Sequence, residues 1–171
     1  CVGRASHVGE YFLGINSTLI ASQLVTEIEG DPESADVWME KHYPPHTCLK
    51  LLNISDGYSV TLPERTAALF NVLMVTRSPA ELMSYLNRKA AKALKSATDI
   101  LNSRRKALNM PELPADIKIV SYPELTELVR QKHPGLDLPA EQQRFLDTLP
   151  AEADSQDRGI ALANYMLDLS E

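Results

Sequence analysis

One local pattern occurs twice in this chain: an apolar run, a serine, and then a helix that opens with proline and a returning glutamate. Ser78-Pro79-Ala80-Glu81 follows the run Asn71 to Thr76, and Ser121-Tyr122-Pro123-Glu124 follows Ile117 to Val120. In such a capping box the serine hydroxyl accepts the N–H three residues on, and the glutamate reaches back to the serine N–H. Proline suits the first turn, where its missing N–H costs nothing. Strand, cap and helix written twice in succession predict right-handed crossovers and a parallel sheet. The expected fold class is therefore α/β: a Rossmann-like three-layer fold, its mainly parallel sheet flanked by helices, with an all-helical C-terminal third. One domain is expected over 1–171, since 171 residues with 44% apolar content suffice for one core and are short for two.

The remaining segments are assigned by the period of their apolar residues. Tyr11 to Ile15 reads as a short buried strand, and Ile20, Leu24 and Ile28 then place a helix that Gly30 stops. Asp31-Pro32 predicts a second helix carrying Val37 and Trp38 and failing before Pro44-Pro45. Leu49 to Ile54 reads as a strand, with Asp56-Gly57 as a turn behind it. Thr61, Pro63 and Glu64 predict a short helix through Phe70. A long helix is expected from Ser78 to Leu108, and amphipathic helices around Phe145 to Leu149 and from Ser155 to Leu169.

No run approaches the roughly 20 apolar residues that span a bilayer, so no membrane is expected as a partner. Two cysteines, Cys1 and Cys48, imply no disulfide framework, and the expected compartment is reducing and cytoplasmic. His42, His46 and Cys48 form a His-x3-His-x-Cys string. Pro44 and Pro45 break any helix that would align the two histidines, and no fourth ligand stands nearby, so no metal is expected.

Charge is unevenly distributed. From Arg88 to Lys106 stand Arg88, Lys89, Lys92, Lys95, Arg104, Arg105 and Lys106 against Asp99 alone. That window carries +6 in a chain of −6, leaving −12 for the rest. A solvated helix face ordinarily interleaves glutamate with lysine at four-residue spacing, and cations near a helix C-terminus also complement its dipole. The near absence of acids instead favours a polyanionic partner, tRNA or other RNA. Duplex DNA is not expected, because the acidic remainder would repel it.

Ligands of parallel α/β folds sit beyond the carboxyl ends of the strands, here Asn16-Ser17, Ser55-Asp56, Thr76-Arg77-Ser78 and Ser121-Tyr122. No glycine-rich dinucleotide motif or phosphate-loop lysine is present, so no nucleotide cofactor is expected. Ser17 and Ser78 are candidate nucleophiles, with helix capping as the alternative for both.

Tyr11 to Ser17, Tyr-Phe-Leu-Gly-Ile-Asn-Ser, together with the strand and basic helix from Val72 to Leu108 and the Tyr165-x-x-x-Leu169 helix, resembles the cyclodipeptide synthases. That family has a Rossmann-like fold related to the catalytic domains of class I aminoacyl-tRNA synthetases. Asn16 stands where the family pattern has its serine, so Ser17, one residue on, is the matching hydroxyl. The resemblance implies aminoacyl transfer from charged tRNA through a seryl acyl-enzyme. Ser17 would be the nucleophile and Tyr165 would hold the substrate amine. Gly14 and Asn16 would line the substrate, and the basic helix would seat the acceptor stem. An aminoacyl ester is already activated, so no cofactor is implied. The alternative is a non-catalytic RNA- or nucleotide-binding domain. An interaction module would instead expose an apolar patch, and the segment bearing Trp38 is the place to find it.

Overall fold

A computed structural model describes residues 1–54, 60–113 and 117–171. The chain is organised as two compact units, Cys1–Ile117 and Lys118–Glu171.

The first unit begins with a tightly held loop. Residues Cys1 to Gly14 include a 3-10 turn at Val8–Leu13 and run against Thr61 to Thr66 through the bridges Val2↔Arg65 and His7↔Thr61, while Arg4 pairs back to Ile15. Helix α1 is Ser17–Ile28, capped by Asn16, whose Oδ1 accepts the Thr18 N–H at 2.8 Å. A 3-10 turn at Pro32–Ser34 leads to the hairpin of β1 (Val37–Trp38) and β2 (Lys41–His42). Its two turn residues, Met39 and Glu40, both take positive φ, 48° and 61°, which matches the twist of a two-residue hairpin loop.

Strands β3 (Thr47–Asn53) and β4 (Thr66–Asn71) then pair antiparallel, with Leu51 opposite Ala68 and Leu52 opposite Ala67. Helix α2 follows as Pro79–Ala107. Its capping box at Ser78 and Glu81 is complete, and it ends after Arg104, Arg105 and Lys106. The core of this unit forms where α1 meets α2. Ala21 and Ile28 on α1, and Tyr85, Ala93, Ala97 and Leu101 on α2, are each at most 4% exposed. Alanine at these positions lets two helix backbones approach closely, and α1 in turn packs on β3 and β4.

The second unit is helical: α3 (Tyr122–Lys132), α4 (Leu138–Thr148) and α5 (Ser155–Ser170). Helix α3 opens on the Ser121 and Glu124 capping box. Leu125, Val129, Leu138 and Met166 are its buried cluster.

The described sheets correct the expected Rossmann-like architecture. They are two separate antiparallel pairs, β1–β2 and β3–β4, and there is no parallel sheet among the described residues. Tyr11 to Ile15 falls mostly in a 3-10 turn instead of a strand. The segment carrying Val37 and Trp38 is a hairpin, and residues 61–70 enter β4 where a helix was expected. The apolar run Asn71 to Thr76 is spent differently too. The ladder uses the preceding residues Thr66–Asn71, leaving Leu73, Met74 and Val75 each more than 40% exposed. Ile119 and Val120 are also exposed and lie outside any strand. The expected turn at Asp56-Gly57 lies outside the described residues. No helix of the described residues is long and apolar enough to cross a membrane.

Two glycines test the packing directly. A Cβ at Gly14 would lie 2.6 Å from the Arg4 carbonyl oxygen and also meet the Ser6 hydroxyl, whereas one at Gly159, on α5, would meet nothing within 4 Å. Gly14→Ala should therefore destabilise the protein by about 2 kcal/mol. Gly159→Ala should stabilise it by roughly 0.5 kcal/mol, because glycine inside a helix is entropically costly. Urea midpoints of the two variants check both signs.

Candidate functional site

Ser17 is fully buried, and the structure commits its hydroxyl. Its Oγ donates to the Pro63 carbonyl at 3.0 Å and meets Thr66 Oγ1 at 2.7 Å, and Thr66 Oγ1 in turn meets Thr18 Oγ1 at 3.1 Å. One consistent assignment runs Thr18 to Thr66 to Ser17 to the Pro63 carbonyl, so every hydroxyl donates once. This relay pins the start of α1 to β4. A nucleophilic serine needs a neighbouring base and access to substrate, and none of the groups that bond this hydroxyl is a base. Gly14 is buried beside Arg4 and Ser6, and Asn16 is engaged as the α1 cap. Ser78 serves its own helix through Glu81.

Tyr165 belongs to the other unit. Its ring stacks on Phe145 with centroids 4.2 Å apart, and its hydroxyl donates to Glu141. That donation, followed by burial, raises the phenol pKa above its usual range.

Three of the seven cations on α2 have acidic partners that lie far upstream in sequence. Arg88 pairs with Glu33, Lys89 with Asp31 and Glu33, and Lys92 with Glu27 at 2.7 Å, while Lys95 pairs with Asp99 on its own helix. Arg105 is 8% exposed and donates inward to the carbonyls of Phe12 and Pro111. Arg104 and Lys106 are exposed. The exposed pairs, Arg88–Glu33 and Lys95–Asp99, stabilise little, but opposite charges a few ångströms apart cancel each other's field well within the roughly 8 Å screening length of physiological salt. Glu27, Asp31 and Glu33 thus offset the Arg88 to Lys92 part of the positive stripe expected for RNA, while Arg104 and Lys106 stay exposed at its far end.

No pattern in the sequence marks a densely bonded carboxylate of this unit, that of Asp36. Asp36 is 4% exposed, and its carboxylate accepts the N–H groups of Val75 and Thr76, each at 2.7 Å, and that of Arg77 at 3.3 Å. It also accepts the Thr76 hydroxyl and the N–H of Val37. These bonds, the Thr76 hydroxyl foremost, hold its pKa far below the usual carboxylate range. Asp36 thereby fixes the approach to α2 against the start of β1. Behind it, His46 is 1% exposed with an unpartnered Nδ1, its ring edge-on to Tyr85. The Tyr85 hydroxyl donates to Asp31 at 3.0 Å. Burial, reinforced by the Arg77 charge and opposed by Asp31, lowers the His46 pKa. His42 is exposed on β2, and the Cys48 thiol donates to the Lys50 carbonyl.

Apolar side chains form the other unusual surface. On β3, Leu49, Leu51 and Leu52 are 52%, 42% and 41% exposed. The Ile54 N–H bonds the Arg65 carbonyl at 3.0 Å, so by antiparallel alternation Leu52 and Lys50 also face β4 with their main-chain groups while Leu51 faces outward. Glu29 covers the beginning of that outer edge, accepting the Thr47 hydroxyl and the Cys48 N–H, each at 2.7 Å. Further along, nothing among the described residues pairs with the Leu51 main chain on its outer side. Val37, Trp38 and Met39 are likewise exposed, and Asp36 holds Val75 beside them.

Two acid-side losses of stability follow. His46 binds its proton more readily in the unfolded chain, so its contribution is complete above the ordinary histidine range near pH 6.5 and declines as pH falls through it. The Asp36 contribution is complete above the ordinary aspartate range near pH 4 and is lost only below it. Urea midpoints measured from pH 7.5 down to pH 3 should show both steps. His46→Gln should remove the upper one and leave the lower.

Comparison with known proteins gives two similar chains. This chain is 28% identical over 139 residues to the uncharacterized protein YqjN of Bacillus subtilis, and 24% identical over 141 residues to protein RocB of the same organism. The alignments cover 77% and 79% of this chain and 25% of each relative, so the chain spans about a quarter of the length of the curated relatives it matches. No protein-family profile and no solved structure matches it.

Proposed function

We propose that this chain is a non-catalytic protein-interaction domain that docks a partner by strand addition along the outer edge of β3. The observation that carries this reading is an open strand edge bearing three half-exposed leucines, Leu49, Leu51 and Leu52. Soluble proteins usually blunt such edges with charge, proline or a covering loop, because an unpaired strand is a template for another chain. Among the described residues Glu29 blunts the first two positions, and Lys50 is the one charged residue of the strand. An added strand supplies main-chain hydrogen bonds for affinity, and alternate side-chain contacts supply specificity. The partner segment is thus an extended, apolar stretch of protein. The exposed Val37, Trp38 and Met39 supply a second apolar contact, at the segment where an interaction module was expected to carry one.

Aminoacyl transfer from tRNA and RNA binding draw less support from the geometry. The hydroxyl of Ser17 is buried and engaged, and five of the seven candidate RNA-contacting cations have partners within the chain. A reducing, cytoplasmic setting remains part of the proposal, with Cys1 and Cys48 both free thiols.

A photocrosslinking phenylalanine analogue placed at position 51 should yield one discrete protein adduct in living cells, and the same analogue at exposed position 131 should not. Leu51→Asp, introduced with the analogue at position 49, should reduce that adduct at least about tenfold while shifting the unfolding free energy by only roughly 0.5 kcal/mol. Absence of any adduct from positions 49, 51 and 52 would refute the proposal.

A further inference from the structure

A cavity of about 300 Å³ opens beside the first turns of α2, lined by Glu33, Arg77, Glu81, Ser84, Tyr85 and Arg88. Its charges are not all cancelled within the protein. Glu33 is taken up by Arg88 and Lys89, on either oxygen of its carboxylate. Arg77 is positioned differently: one of its terminal nitrogens donates to the main-chain carbonyls of Glu33 and Ala35, which fix the guanidinium without neutralising it. Glu81 spends one carboxylate oxygen on the Ser78 cap, and its other oxygen has no partner among the described residues. Arg77 and Glu81 therefore face one cavity with opposite charges, yet no ion pair joins them among the described residues. The Ser78 N–H, then the Ser78 hydroxyl, hold Glu81 ionised by lowering its pKa.

We propose that this cavity binds the zwitterion of a free α-amino acid with a polar, uncharged side chain, its carboxylate on Arg77 and its ammonium on Glu81. Held by neutral acceptors at that one terminal nitrogen, the guanidinium keeps its charge and the donors of its other two nitrogens for a carboxylate. An unsatisfied carboxylate oxygen close by is the complementary acceptor for an ammonium group. A simple anion is disfavoured, because Glu81 faces the same space; a simple cation meets Arg77. A ligand carrying both charges, on two groups that share one carbon, meets both walls. The Ser84 hydroxyl and the nitrogens of Arg88 that Glu33 leaves unused supply hydrogen bonds for a polar side chain, and the buried Tyr85 ring closes the floor. This site is separate from the β3 edge, and neither proposal depends on the other.

The α-carboxylate has two sources, a free amino acid and the C-terminus of a peptide, and the ammonium distinguishes them. Amide resonances of the whole chain are followed by NMR while L-glutamine is added, with L-glutaminamide and N-acetyl-L-glutamine as one-ended analogues. L-Glutamine should shift amides between residues 77 and 88 and saturate with a Kd of about 1 mM, ordinary for so small a ligand. Each analogue should bind at least about tenfold more weakly, the loss expected when a charged hydrogen bond is removed. Glu81→Gln, which retains the helix cap, should weaken L-glutamine to the level of its N-acetyl analogue, and Ser84→Trp, which fills the cavity, should abolish the shifts. No saturable shift below roughly 50 mM, or shifts confined to residues outside this turn, would overturn the proposal. Equal binding of the N-acetyl analogue would assign the site to a peptide C-terminus and overturn it as well.

Discussion

The close packing of α1 on α2 is the contact on which the Cys1–Ile117 unit depends. Alanine at 21, 93 and 97 permits that approach, and Ile28 and Leu101 fill what remains. Once the helices are this close, their polar residues must find partners across the seam. Ser96 donates to Gln23 at 2.7 Å, Lys92 pairs with Glu27, and Lys89 reaches Asp31 and Glu33 beyond the end of α1. Helix packing thus engages the Arg88 to Lys92 part of the charge that looks, in sequence, like a surface for polyanions. The same packing leaves the β3–β4 ribbon with α1 against it and too few strands to bury its leucines.

How much of this was legible in the sequence follows from the range of each interaction. Both capping boxes, at Ser78 and Ser121, are closed by residues within four positions of each other, and helices α2 and α3 begin where those boxes place them. Asn16 likewise caps α1 by bonding only two residues ahead. Strand β3 was legible, since Leu49 to Ile54 overlaps Thr47–Asn53; strand pairing was not, because an apolar run carries no information about its partner. Asn71 to Thr76 has the composition of a strand buried on both faces, but β3 pairs with the residues just before it. Thr61, Pro63 and Glu64 have the spacing of a helix cap, yet that stretch is drawn into pairing with the N-terminal loop through Leu62 to Ser6 and His7↔Thr61.

The candidate site failed to show for the same reason. Whether the Ser17 hydroxyl is free for a substrate is decided by Thr66, 49 residues away, and by Pro63, while the cap of α1 falls to Asn16. The neutralising acids of the basic helix stand at 27, 31 and 33, outside any window centred on residues 88–106. Asp36 is a single aspartate before a short hairpin, with nothing in its neighbours to predict four donors from Val75 to Arg77. The exposed leucines of β3 were visible as residues but not as a surface, since exposure is decided by what the fold leaves uncovered.

The proposed docking edge is β3, where Leu49, Leu51 and Leu52 stand half-exposed. The most direct measurement is residue-resolved amide hydrogen exchange of the isolated chain. An open outer edge predicts that the Leu51 amide exchanges within about tenfold of its unstructured rate while Leu52, bonded toward β4, is protected together with Ala97 and Leu101 in the helix seam. Equal protection of Leu51 and Leu52 would mean that the edge is already covered, and would contradict the account.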